Sequence, residues 1–347
     1  MIKLSSSIQY SPQYFLSSLG AGGLAVTFFL YLMFMIDHTG VPMVTFDHIY
    51  PVLLSGGLIT RVTISLALAM ILLFAVIHFA LLIWNLLELN QFKQSDAYAQ
   101  LKSGNGISLM VVPLTLAMSI NVSFILGAVF VPTLWTIVEY LFPFALAAFL
   151  AVAVYGVKIF FEYFLDLLEN GTFNEIANNS LAQMIAVFAF SMIAVGLAAP
   201  GAMSHNLVIN AVGIFFSTLF LMVSIMLMLI QYTMGFRSMM TNGISHEAVP
   251  TIWVIIPILT LWGITVFRIT HGLGHHFDLS ISNGAMFLLT SAVVGLQLMF
   301  GAFGYLLMRR LGYFRDYVSG KKTHPGSYAL ICPGVALFVY SMFFIYY

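Results

Sequence analysis

Residues 107–130 read ISLMVVPLTLAMSINVSFILGAVF, and after Val131-Pro132 a second apolar tract runs over 133–160. The first tract holds no charged residue. A helix of about 20 apolar residues, rising 1.5 Å each, crosses the roughly 30 Å hydrocarbon core of a bilayer. In lipid such a tract satisfies its own backbone hydrogen bonds only as a helix. Two tracts separated by Val131-Pro132 therefore predict a tight hairpin of membrane helices. Working outward, the same pattern recurs over 14–36, 61–87, 180–199, 206–234, 251–269, 281–308 and 327–347, which makes nine tracts in all.

Composition agrees. Of 347 residues, 61% are hydrophobic and 7% are charged, whereas a soluble domain carries about 25% charged residues. The expected fold is therefore all-α, a single transmembrane domain over 1–347 with nine to ten spanning helices. The first tract is too long for a signal-peptide core and Met1–Pro12 shows no cleavage pattern, so it is expected to stay as a membrane helix. The formal charge is zero, which gives no reason to expect nucleic acid as partner. Cys332 is the one cysteine, so a disulfide framework or a cysteine-built metal cluster is excluded. With no nucleophile–base constellation, phosphate loop or cofactor fingerprint in view, the chain is not expected to be an enzyme.

Basic residues near helix ends stay on the cytoplasmic side. An inward N-terminus places Lys3, Lys93, Lys102, Arg237, Arg309, Arg310, Arg315, Lys321 and Lys322 inside, and Arg61 and Arg268 outside. Lys158, late in the fourth helix, is expected to snorkel inward.

Three odd-numbered tracts carry a proline: Val112-Pro113-Leu114-Thr115, Ile256-Pro257-Ile258-Leu259-Thr260 and Cys332-Pro333-Gly334-Val335. Pro257 and Pro333 are 76 residues apart, and Pro113 and Pro257 are 144 apart, about twice 72. A repeat of roughly 70–75 residues, one helical hairpin each, fits both intervals. Its missing members fall near Val187-Phe188 and at Gly20-Ala21-Gly22-Gly23. Since a proline bends a helix and frees a carbonyl, the repeat predicts five odd helices around a central path, kinked where it narrows, with the even helices outside.

The opening Pro12-Gln13-Tyr14-Phe15-Leu16-Ser17-Ser18-Leu19-Gly20-Ala21-Gly22-Gly23-Leu24-Ala25 resembles the first-helix signature of the tellurite-resistance and dicarboxylate-transporter family, which includes the slow anion channels of plant guard cells. The segments at Pro113, Pro257 and Pro333 are similar to its odd-helix signatures. The resemblance implies ten helices as five hairpins, an inner five-helix pore in each protomer, a homotrimer, and residence in the bacterial inner membrane with the N-terminus cytoplasmic. It also implies a phenylalanine plug from the ninth helix, and the matching position here is Cys332. The resemblance expects a tenth helix to begin at about Tyr347, so the expectation is either a shortened variant or a count in which two helices are merged.

These readings make the chain a channel or transporter for a small anion of the chloride, nitrate, sulfite or dicarboxylate class. Candidate lining residues are Ser18, Gly20, Gly22, Gly23, Pro113, Thr115, Phe188, Pro257, Thr260, Cys332 and Pro333, with Ser119 and Asn121 as further polar groups. Backbone, hydroxyl and apolar groups suit a weakly hydrated anion. Phe188 and Phe190 are the candidates to block the path in place of the missing plug. No cofactor is expected, with one alternative: His271 and His275, four residues apart, and His276 have the spacing and chemistry to hold a divalent metal. His78, deep in the second helix, is the histidine whose position invites a function. Two rival readings stand beside transport. One is a haem protein using His78 as an axial ligand; the other is a non-transporting subunit of a larger membrane complex.

Overall fold

The computed structural model describes residues 10–171, 179–279 and 281–346, and every side chain in them but that of His275. Among these residues there are helices and no strands. Among the described residues nine helices are long and apolar enough to cross a membrane, one for each apolar tract. In order, α1 spans Phe15–Met35, α2 Phe46–Ser55, α3 Leu58–Phe92, α4 Asp96–Asn105, α5 Val111–Phe130 and α6 Val138–Asn170. They are followed by α7 Ile185–Met203, α8 Leu207–Asn242, α9 Ile255–His276, α10 Asn283–Arg310 and α11 Ile331–Tyr346. The protein is thus an all-α polytopic membrane protein. Among the described helices, α2 and α4, ten residues each, are too short to span, and α11 spans together with the 3-10 segment before it.

Several helices outgrow their apolar tracts. The 36 residues of α8 span about 54 Å at 1.5 Å each, well beyond the hydrocarbon core, so it carries Arg237 out to the membrane surface. Polar residues placed in connecting breaks by composition thus continue helices whose middles are in lipid.

Packing sorts the nine into two layers. α1 meets α5, α5 meets α7, α7 meets α9, α9 meets α11, and α11 returns to α1, which closes a ring of five. Outside it, α3 lies on α1 and α5, α6 on α5 and α7, α8 on α7 and α9, and α10 on α9 and α11. Among the described residues no outer helix covers the remaining cleft, between α11 and α1. Tyr31 is 42% exposed beside it, its ring 4.9 Å from that of Phe338 and tilted against it.

Each ring helix starts the same way. A 3-10 segment feeds directly into the α-helix: Pro12–Tyr14 into α1, Gly106–Met110 into α5, Ala182–Met184 into α7, His246–Val254 into α9 and Pro325–Leu330 into α11. Pro113, Pro257 and Pro333 are each the third residue of their α-helix, and Val187 is the third residue of α7. The junctions from Pro113 to Pro333 follow at 74, 70 and 76 residues, although the α1 junction lies 96 residues before Pro113, and the prolines mark the 3-10-to-α junction rather than a kink at a narrow midpoint. Proline lacks the donor that the carbonyl four residues back would accept, and tightening the preceding turn to the three-residue pattern re-pairs that stretch. In α1 the corresponding position is Ser17, so the glycines at 20, 22 and 23 serve another purpose.

That purpose is close approach. A Cβ on Gly20 would lie 2.9 Å from Ile331 of α11, and one on Gly22 would lie 2.6 Å from Met118 of α5 and 2.9 Å from His78 of α3. Small residues let helix backbones approach in lipid, where packing rather than the hydrophobic effect drives association.

Candidate functional site

The ring's interior is the natural site, and helical periodicity identifies the residues that face it. On α9, Ile256, Thr260 and Gly263 meet α10 and α11, while Trp262 donates to Ser191 of α7 and Ser224 of α8, both at 2.9 Å. The face left over carries Pro257, Leu261, Ile264 and Arg268, at steps of four, three and four. On α7, Phe190 meets Phe160 of α6 and stacks on Phe220 of α8, so Phe188 and Val195, seven apart, turn inward. On α11, Cys332 and Val339, also seven apart, lie between the face touching α1 and the face on which Tyr340 meets Gly263.

Phe188, Val195, Leu261, Ile264, Cys332 and Val339 are each 9% exposed or less, so the interior is packed shut at their levels. Of the candidate lining residues, Phe188 and Cys332 lie on the inward faces of α7 and α11. Phe190 does not: its ring is consumed by the outer layer, so it is removed as a blocking candidate.

Arg268 departs most from the sequence reading. It lies eight residues before the end of α9, because the helix runs on through the polar stretch to His276, and it is therefore within the ring rather than outside the membrane. Its side chain is half-buried and Nη1 donates to the carbonyl of Val195 at 2.8 Å. Among the described residues no carboxylate pairs with it. Asn121 on α5, partly exposed, lies nine residues from that helix's end and donates to Met192 Sδ at 3.6 Å. A half-buried cation in this position, with no carboxylate partner among the described residues, attracts a small anion.

The candidate hydroxyls are employed elsewhere. Ser18 Oγ donates to the carbonyl of His78 at 2.9 Å in the outer layer. Thr115 donates to Val111 O at 2.8 Å within its own helix. Thr260 donates to Ala336 O at 2.9 Å and accepts from Gln297 Nε2 at 2.6 Å, which ties α9 to α11 and α10. Pro113 packs against Gly156 of α6 rather than the interior. Gly20, Gly22 and Gly23 admit Ile331, Met118 with His78, and Val335 respectively. Pro333 is buried in the first turn of α11.

His78 is fully buried with both ring nitrogens engaged: Nδ1 donates to Ser18 O at 2.8 Å, and Nε2 lies 2.9 Å from Ser119 Oγ. An axial haem ligand would need one of these nitrogens free, so the geometry favours a helix-bridging role. It joins α3 to α1 and α5. Of the outer histidines, His271 lies tilted against the Phe267 ring at 4.1 Å with Nδ1 donating to Phe267 O, and His276 is exposed. The side chain of His275 lies outside the described residues, as does Lys3. Among the described residues no three metal-binding side chains converge.

At the end of the fold that holds Tyr10, Asp316 accepts from Lys322 Nζ at 2.8 Å and from Arg315 Nε at 3.1 Å. These two cations hold its carboxyl below the ordinary value of 3.8. Compared with family models and with curated proteins, the chain matches none.

Proposed function

We propose that the five-helix ring is a gated path for a small anion. The observation that carries this reading is Arg268, a guanidinium on the interior face of α9 whose hydrogen bond is to a backbone carbonyl and which has no carboxylate partner among the described residues. Its positive charge lowers the barrier for an anion entering the apolar ring. Phe188 and the Ile264 level hold the path closed below it, and gating is the displacement of the Phe188 ring. The resemblance to the tellurite-resistance and dicarboxylate-transporter family supports the same arrangement, a trimer with one path per protomer included, and implies an N-terminus in the cytoplasm and residence in a bacterial inner membrane. Chloride, nitrate, sulfite and dicarboxylates are the solutes to try.

The test is flux from proteoliposomes. Phe188→Ala should raise nitrate or chloride efflux at least tenfold, and adding Arg268→Gln to it should remove most of that gain. If both variants fold and neither conducts, transport is discarded. A second reading then leads: a membrane subunit whose open cleft between α11 and α1 receives a helix of another chain. The exposed edge at Tyr31 favours it.

A further inference from the structure

Between α3, α4 and α6, at the end of the fold that holds Tyr10, lies a cleft of about 540 Å³. Its rim carries Lys93, Lys102 and Lys158 and its walls Tyr98, Tyr155 and Ile159. Lys158 lies 20 residues, about 30 Å of helix, past Val138, so it has crossed the thickness of a hydrocarbon core and reached the level of lipid headgroups. The helix that roofs the cleft is weakly attached: α4 has no buried residue, and its Lys102 reaches across to Glu162 of α6 at 3.0 Å. Glu162 is also 4.0 Å from Lys158, so one carboxylate serves two ammonium groups. Lys93 has no ion-pair partner among the described residues. Asp166 also lines the cleft, which leaves three lysines facing two carboxylates.

We propose that this cleft binds an anionic phosphoglyceride, its phosphate held by Lys93 and Lys158 and its acyl chains running down the apolar walls into the bilayer. The chemistry recognised is a phosphate with attached hydrocarbon. Ammonium groups at the membrane surface attract anionic lipid, roughly fivefold in occupancy for each lysine. Phenols such as those of Tyr98 and Tyr155 prefer the level where headgroups meet chains. A soluble phosphate would meet the same lysines but would leave the apolar walls uncovered. The site does not depend on the transport reading.

Native mass spectrometry of protein taken from vesicles of equal phosphatidylglycerol and phosphatidylcholine tests it. Wild type should retain phosphatidylglycerol in clear preference, and Lys93→Gln with Lys158→Gln should cut that preference roughly fivefold per lysine. Lys93→Arg with Lys158→Arg, which keeps both charges, should retain it, and Lys321→Gln, outside the cleft, should change nothing. Equal retention of the two lipids by wild type, or undiminished retention by a folded Gln variant, overturns the proposal. So does stabilisation of delipidated protein in neutral detergent by inorganic phosphate as large as that by phosphatidylglycerol, since the ligand would then be a free anion.

Discussion

α7 and α8 pack against one another along their lengths, and they are built on opposite plans. α7, in the ring, is buried on every side: Ala186, Phe188, Phe190, Ile193, Leu197 and Gly201 lie on different faces and all are covered. α8, in the outer layer, buries one stripe, in which the small or polar Asn210, Gly213, Ser217, Ser224, Gln231, Gly235 and Ser238 outnumber the large apolar Ile214, Phe220, Leu221 and Leu227. The large apolar Phe215, Met222, Met226 and Leu229 point outward and are more than half exposed. In lipid, apolarity alone does not distinguish inside from outside. Small size and hydrogen-bonding capacity mark the buried face instead.

That contrast is breakable. The largest effect belongs to Gly213→Leu. A Cβ there would meet backbone atoms of Gly201 at 2.9 and 3.0 Å, which cannot give way as a side chain would. Overpacking of this kind costs about 3 kcal/mol, so the detergent-solubilised variant should melt well below wild type. Phe215→Leu, two residues on but facing lipid, should stay within about 0.5 kcal/mol. Similar melting of the two variants would erase the distinction between faces. A middle-sized effect is expected at Gln297→Leu on α10, which removes bonds to Ile256 O at 3.1 Å and Thr260 Oγ1 at 2.6 Å. Interhelical hydrogen bonds in membranes contribute about 0.6–1.7 kcal/mol, and a loss in that range, read from unfolding in mixed micelles, would extend the rule to a second outer helix.

The smallest effect lies outside the membrane. Asp316 is lowered by Lys322 and Arg315, so its stabilisation is present above the ordinary carboxylate value of 3.8 and disappears as the pH falls below it through the depressed folded value. Asp316→Asn should flatten the melting profile below pH 4 and leave Gly213 and Gln297 variants unaffected. An unchanged acid limb would remove Asp316 from the list of stabilising pairs.

The nine spans were legible in the chain because each helix must be apolar over about 20 residues whichever way it faces. The side each residue faces was not. Ser18, Thr115 and Thr260 have the hydroxyls a conduction path would use, but such groups equally bond a neighbouring turn or helix, and here they do. The proline spacing revealed the repeat, while the depth of each proline depended on where α-helix begins, which a run of apolar residues does not signal. Arg268 was missed for the opposite reason. The polar residues Thr270 to His276 read as a loop, although α9 continues through them and draws the arginine two turns into the ring. The signal available was its spacing of four and eleven from Ile264 and Pro257.

The 3-10 segments under the ring helices also amount to a store of length. A 3-10 residue rises about 2.0 Å and an α residue 1.5 Å. Pro250 interrupts His246–Val254, so conversion of the four residues after it to α-helix would draw α9 toward its own base by about 2 Å, with the chain helical throughout. Pro257 sits just above that segment and limits how far the conversion can travel. An axial stroke of that size would lower Arg268 and Ile264 toward the Phe188 level without reaching it, and the joints of all five ring helices lie at the same end.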